Sequence, residues 1–264
     1  MAESRTLAQA CSLLSQALQV RKQDHMDLAP AAREALKRLA GREWAKAAPE
    51  PKPPTALASS QPAHPSKAAQ LAALREELAS DPRATSLESL RETLVFSVGH
   101  PDATFMFVGE APGFEEERQA EPFVGPAGQL LTKIIAAMGF ARGEVYISNI
   151  VKFRPSTGAA DQGTANRKPT VAEMSHFLPY LKREIEIVQP KIIIALGGTA
   201  HHGLTGKEAS VGSVRGKILD LDGTPLLTTY HPSYLLRNRE RSEKKKVWDD
   251  MKLALQHLGL TAPK

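Results

Sequence analysis

The apolar positions of this chain change period along its length, and the changes divide it into three parts. Between Arg5 and Arg42, Leu7, Ala10, Cys11, Leu14 and Leu18 recur at helical spacing, and a second such pattern begins at Leu28 with Pro30 near its start. Two helices with thin apolar faces are predicted, an N-terminal extension over residues 1–44. From Ala45 to Lys67 the period is lost and prolines crowd the chain (Pro49, Pro51, Pro53, Pro54, Pro62 and Pro65), the composition of a flexible linker. The remaining residues, 68–264, carry the pattern of a folded domain.

That domain opens with a helical pattern from Ala68 to about Leu78 and a second around Leu87 to Leu94. Short apolar runs follow at Phe105–Val108, Val145–Ile150, Lys191–Leu196 and Leu226–Tyr230. Amphipathic stretches separate them at Ala127–Met138, Ala172–Val188 and Thr199–Leu204, and a last helix is predicted from Lys245 to Leu258. Near-continuous apolar strands alternating with helices imply a parallel sheet covered on both faces. The expected fold is α/β: a three-layer α/β/α sandwich around a central, mainly parallel four-stranded sheet. Ligands of such sheets bind beyond the carboxyl ends of the strands. The polar and glycine-rich residues stand at those ends: Gly109 to Gly113, Asn149 to Arg154, Gly197-Gly198, and His231 to Asn238.

Composition narrows the function classes. The 264 residues hold no apolar run long enough to cross a bilayer, and the first residues lack the apolar stretch of a secretory signal, so a cytoplasmic protein with no membrane partner is expected. The single cysteine, Cys11, can form neither an internal disulfide nor a cysteine metal cage, and an iron–sulfur cluster needs several thiolates. A net charge of +5 favours a polyanionic partner, a weak indication on its own.

The loop at Gly109 has the outline of a phosphate cradle, yet it lacks the glycine spacing and the Lys-Ser or Lys-Thr of a P-loop, and it lacks a dinucleotide fingerprint. Glu110, Glu115, Glu116 and Glu117 would repel phosphate. A plain turn leading into an acidic helix start explains the same residues equally well. His231, isolated, is as compatible with a hydrogen-bonded structural histidine as with a catalytic one, and the basic run from Arg237 to Lys246 with a solvated helix start. Asn149 offers a donor and an acceptor to a flat polar ring, and Phe123, in a glycine-proline loop, could anchor that loop or stack on a base. There is no Ser-His-Asp elbow, paired-cysteine motif or metal-ligand helix.

Taken in order, Gly109-Glu-Ala-Pro-Gly113 with Glu116, Pro122 to Leu131, Asn149 to Pro155, Asn166 to Pro169, Ala195 to Gly197, Arg215-Gly216 and Tyr230 to Asn238 resemble the uracil-DNA glycosylase superfamily over about Phe96 to Leu258. The pattern is closest to family 4, whose members usually carry a four-iron cluster. The resemblance implies a monofunctional glycosylase that flips uracil out of DNA and hydrolyses its glycosidic bond, leaving an abasic site for base excision repair. It implies that Phe123 stacks on uracil, that Asn149 reads its edge, and that Gly109, Glu110 and Ala111 shape the base site. His231 would stabilise charge on the departing base, and Glu116 would act on the sugar and the water. Ser233 would hold phosphate, Tyr234, Leu235, Leu236 and Arg237 would push into the duplex, and Arg154 and Arg215 join them as DNA-binding candidates.

Two departures from the family pattern matter. Ala111 stands where the best-known uracil-specific family has an aspartate, so water must be activated differently. Phe153 and Phe177 stand where family 4 has two of its cluster cysteines, and no cysteine lies near Ser86 to Leu94. No metal or other cofactor is expected, and the two rings are expected to pack in the cluster's place. The segment Ser156–Thr164 reads as a polar insertion near the DNA face, without the histidine used by a branch that becomes covalently linked to uracil DNA. The expected partner is uracil-containing DNA, bound by a monomer, with a protein partner possible for the N-terminal region. Two alternatives remain at this point: a DNA-binding or scaffold protein that kept the fold and lost turnover, and a glycosylase for another damaged base such as hypoxanthine.

Overall fold

The computed structural model describes residues 65–82, 89–159 and 161–263. The helices expected within residues 1–44, and the linker up to residue 64, lie outside the described residues.

The four expected strands form as β3 (Phe105–Gly109), β4 (Tyr146–Asn149), β6 (Ile192–Leu196) and β8 (Thr224–Thr229). They pair in parallel in the order β4-β3-β6-β8. Period-2 alternation on β3 sends Met106 and Val108 to one face of the sheet and Phe105 and Phe107 to the other. The first face is covered by α1 (Lys67–Ala79), α4 (Val171–Val188) and α5 (Gly198–Thr205), through Leu74, Leu78, Phe177, Leu181 and Ala200. The second is covered by α3 (Pro126–Ala137) and α8 (Arg241–His257), through Leu131, Ile135, Met251 and Leu255. These are the three layers predicted from the sequence.

The sheet has six strands rather than four. β2 (Val98–Gly99) pairs antiparallel with β4 at one edge, and β7 (Ile218–Leu221) pairs antiparallel with β8 at the other. β2 is only two residues long and leaves no periodic signal. β7 did leave one: Asp222-Gly223, both at positive φ, form the two-residue turn into β8 that an Asp-Gly pair favours.

The second helical pattern, around Leu87 to Leu94, is corrected over its described part. Leu90–Leu94 is strand β1, paired antiparallel with β5 (Phe153–Pro155) in a separate ribbon. Leucine spacing is compatible with a helix there, but the backbone partner is supplied by a segment some sixty residues away. No helix among the described residues is long and apolar enough to cross a membrane.

Short helices complete the fold: α2 (Phe114–Gln119) after β3, α6 (Val211–Val214) before β7, and α7 (Pro232–Arg237) after β8.

Candidate active site

Register puts the first two strand ends side by side, because Gly109 is the cross-strand neighbour of Asn149. Around them, and below His231 at the end of β8, lies a cavity of about 330 Å³ lined by Glu110, Ala111, Phe123, Asn149, His231 and Ser233 among others. Four separate segments of sequence thus meet at the carboxyl edge of the sheet, where the topology places a ligand.

Phe123 is held in place by everything around it. Its φ is +55°, a left-handed conformation that costs a bulky residue roughly 1–3 kcal/mol and persists only when the surroundings enforce it. Oε1 of Glu116 accepts hydrogen bonds from the N–H groups of Val124 (3.0 Å) and Gly125 (2.9 Å), while its Oε2 accepts from Gly113 N–H at 3.2 Å. Helix α3 approaches so closely that a Cβ on Gly128 would stand 1.8 Å from the Phe123 carbonyl oxygen. On its other side the ring lies over Gly109, whose absent Cβ would meet Phe123 Cζ at 2.5 Å and Asn149 Oδ1 at 2.4 Å. The ring centroid is 5.7 Å from that of His231.

Asn149 is 3% exposed, and among the described residues its Oδ1 has no hydrogen-bond partner. An acceptor left bare in a protein interior costs roughly 1–3 kcal/mol. Since Asn149 lines the cavity, the site holds a buried acceptor that a ligand N–H would satisfy.

His231 caps α7. Its Nδ1 accepts from the Ser233 N–H at 3.1 Å and lies 2.8 Å from Ser233 Oγ. A ring nitrogen that accepts a backbone N–H carries no proton, so the neutral ring bears its hydrogen on Nε2. Burial holds the pKa below the usual histidine value; Glu110 opposes that shift, Arg237 reinforces it, and Glu116 opposes it more weakly. The imidazole is therefore poised as a neutral donor.

The two candidate carboxylates have unlike surroundings. Glu116, expected to act on water, is committed to three backbone N–H groups and shapes the Phe123 turn. Glu110 has no side-chain hydrogen bond among the described residues and is the carboxylate with the stronger influence on His231. Its own backbone is fixed, since its carbonyl accepts from Val151 N–H at 3.0 Å. Geometry moves the free carboxylate from Glu116 to Glu110. Ala111 is half-buried against the core and offers only a methyl group to the cavity.

Of the seven DNA-binding candidates, two are both exposed and unpartnered among the described residues: Leu236, 40% exposed, and Arg237. Leu235 is buried, 3% exposed. Tyr234 stacks on Tyr230 at 4.7 Å, donates its hydroxyl to Glu243 at 3.2 Å and accepts from Asn238 at 3.2 Å, so it braces α7 against α8. Ser233 is engaged with His231.

The two arginines are both held by carboxylates. Arg154, 2% exposed, spends its guanidinium on Glu117, Asn166 and the carbonyls of Gly163 and Ala165, and lies over the Phe114 ring. Arg215 pairs with Asp250 and with the Lys246 carbonyl. The neutralising carboxylates lie 37 and 35 residues away in the chain, which is why sequence spacing did not reveal them. Conversely, Asn166 and Lys168 line the cavity and were not among the candidates; the signal was the Asn166 to Pro169 motif itself.

Phe153 and Phe177, both buried, pack with ring centroids 5.7 Å apart under the β1/β5 ribbon, and His176 meets Phe177 edge-on at 4.8 Å. Carbon rings cannot ligate iron. The one cysteine of the chain is Cys11, and among the described residues no group of three His, Cys, Asp or Glu could hold a metal. The residues present do not fit an iron–sulfur cluster.

A model of the uracil DNA glycosylase superfamily matches residues 96–252, more than half of the chain. A type-4 uracil-DNA glycosylase of Thermotoga maritima is 42% identical over 166 residues, which covers 62% of this chain and 82% of that protein. One of Archaeoglobus fulgidus is 33% identical over 178 residues (62% and 85%), and one of Pyrobaculum aerophilum is 40% identical over 159 residues (57% and 77%). The chain belongs to the uracil DNA glycosylase superfamily.

Proposed function

We propose, from that membership and from the cavity, that the protein excises uracil from DNA as a monofunctional glycosylase, leaving an abasic site for base excision repair. The observation that carries this reading is the buried Oδ1 of Asn149, unpartnered among the described residues, in the cavity that Phe123 and His231 also line. Uracil presents an N3–H donor beside the O4 acceptor. Asn149 Oδ1 accepts the first and its Nδ2 donates to the second. Cytosine presents the reverse pattern and would leave both groups opposed by like partners, a mismatch that buried polar groups penalise heavily.

The mechanism follows from the same groups. The uracil nucleotide leaves the base stack, and its ring lies on Phe123. As the C1′–N1 bond lengthens, its electron pair moves to the base and negative charge grows on O2. The Nε2–H of His231 donates to that oxygen, an electrostatic contribution made by the neutral imidazole that burial favours. Positive charge grows on the sugar, where the carboxylate of Glu110 stabilises it and orients a water molecule toward C1′. The water oxygen bonds to C1′ and its proton passes to the carboxylate. Gly109 and Ala111 leave the room that this approach requires, while Glu116 positions Phe123 without touching the reacting atoms.

The proposal extends to a cytoplasmic monomer that acts through residues 68–264 and leaves residues 1–44 to a protein partner. Incubation with a uracil-containing oligonucleotide followed by alkali tests the activity. Strand scission at the uracil is expected, and its absence across salt and pH would leave the DNA-binding alternative.

A further inference from the structure

Three cationic side chains line the cavity: Arg167, Lys168 and Arg237. Arg167 is fully occupied. It donates to both oxygens of Glu173, to the carbonyls of Ser89 and Ser156, and to the Lys168 carbonyl. Lys168 and Arg237 are exposed, and neither makes a side-chain hydrogen bond or ion pair among the described residues. They belong to different elements, the segment before α4 and the end of α7.

The backbone beneath Lys168 is rigid. Glu173, 1% exposed, grips Arg167, the Thr170 N–H (2.7 Å) and Ser89 Oγ (2.6 Å), and Thr170 caps α4 in return. Pro169 is buried between them. Such a platform fixes where the lysine begins and leaves its ammonium unspent. Arg237 is carried likewise on α7, a helix braced through Tyr234 and Glu243. The carboxylates of the cavity, Glu110 and Glu116, are half-buried, whereas these two cations are exposed. That gradient suits a nucleotide whose sugar enters the site while its phosphodiesters stay at the mouth.

The geometry points to Lys168 as a DNA-binding residue that, with Arg237, neutralises the phosphodiesters flanking the extruded nucleotide. The inference rests on the proposed reading of the cavity. A cation that neutralises one phosphate releases condensed counterions, so its loss flattens the salt dependence of binding by a fixed increment.

The test is the binding of a duplex whose uracil nucleotide resists hydrolysis, measured from low to high salt for the wild type, Lys168→Ala, Arg237→Ala and Lys168→Arg. Each alanine variant is expected to reduce the slope of log affinity against log salt by about 0.7–1. Both should weaken uracil-containing duplex by the same factor whatever bases flank the uracil, because phosphate contacts do not read sequence. KM for uracil excision should rise several-fold for Lys168→Ala while kcat stays within about twofold, and Lys168→Arg should restore the slope. Lys191→Ala, at the amino end of β6, should change nothing. An unchanged slope in Lys168→Ala, or a weakening that depends on which bases flank the uracil, would overturn the inference. Excision by the wild type in the same preparation keeps that failure separate from a failure of the cavity reading.

Discussion

The ring of Phe123 occupies the space that a side chain on Gly109 would need: a Cβ there would lie 2.5 Å from Phe123 Cζ. The glycine at the end of β3 is thus a condition for the position of that ring, and the left-handed backbone of Phe123 leaves the ring no easy retreat. Gly109→Ala should reduce kcat/KM for uracil excision by on the order of 10²-fold, since a displacement of about 1 Å at a positioning residue has that effect. Thermal unfolding should change far less. An alanine variant of wild-type activity would mean that Phe123 does not set the base site.

Glu110 and Glu116 are separable by experiment. Glu110→Gln should lower kcat by roughly 10²–10⁴-fold, the range of a positioned acid–base group, with the melting temperature unchanged. Glu116→Gln places an NH₂ group among three backbone N–H donors. It should lower stability by about 1–3 kcal/mol and activity along with it, through Phe123. If instead Glu116→Gln lost turnover at full stability while Glu110→Gln kept it, the roles would be reversed.

On the proposed mechanism activity depends on pH in a definite direction, because a proton on His231 Nδ1 displaces the Ser233 N–H that orients the ring. Burial holds its pKa below the ordinary 6.5, so the neutral donor persists into mildly acidic solution, and the acidic limb of kcat should fall below pH 6.5. The stability linkage has the same sign. Below the unfolded value the unfolded chain takes up a proton that the native ring resists, so stability declines as pH falls. His231→Ala should remove this acidic limb and cost about 10²–10³-fold in kcat, the effect of losing one oxyanion donor. A limb that persisted in the alanine variant would belong to another group.

Phe153 and Phe177 carry a prediction about metal. Phe177→Ala should destabilise the domain by about 3–5 kcal/mol, the usual cost of deleting a buried ring. Purified protein should contain no stoichiometric iron, and a chelator should leave its unfolding curve unchanged. Iron at one cluster per chain would contradict the packing of the two rings.

The pair Lys152 and Glu184 lies wholly inside the core, bridged by Ser148 Oγ, which is 2.6 Å from Lys152 Nζ and 2.8 Å from Glu184 Oε2. Glu184→Leu alone strands a buried ammonium and should cost about 3–5 kcal/mol, whereas Lys152→Met with Glu184→Leu should recover much of it. Denaturant midpoints of the two single variants and the double variant measure the difference. Burial lowers the Lys152 pKa despite the attraction of Glu184, so a single carboxylate variant should also release the lysine proton more readily.

Local and periodic information settled much of this protein. Apolar runs at Phe105, Val145, Ile192 and Leu226 are long and continuous enough to specify buried parallel strands, and the helices between them follow from a 3.6-residue period. Glycine, asparagine and histidine at the strand ends put Gly109, Asn149 and His231 on one surface, because topology alone brings carboxyl ends together, whereas Phe123 was singled out by the family resemblance. The sequence could not show which charged groups are already spent. Arg154 and Arg215 carry the same charge as Arg237, and Glu116 the same as Glu110, so type and position do not distinguish them. Only the packed structure brings Glu117 to Arg154, Asp250 to Arg215, and three backbone N–H groups to Glu116. The edge strand β2 and the β1/β5 ribbon were decided in the same way. Pairing across dozens of residues is a tertiary event, and the free energy that selects it comes from partners absent from the local sequence.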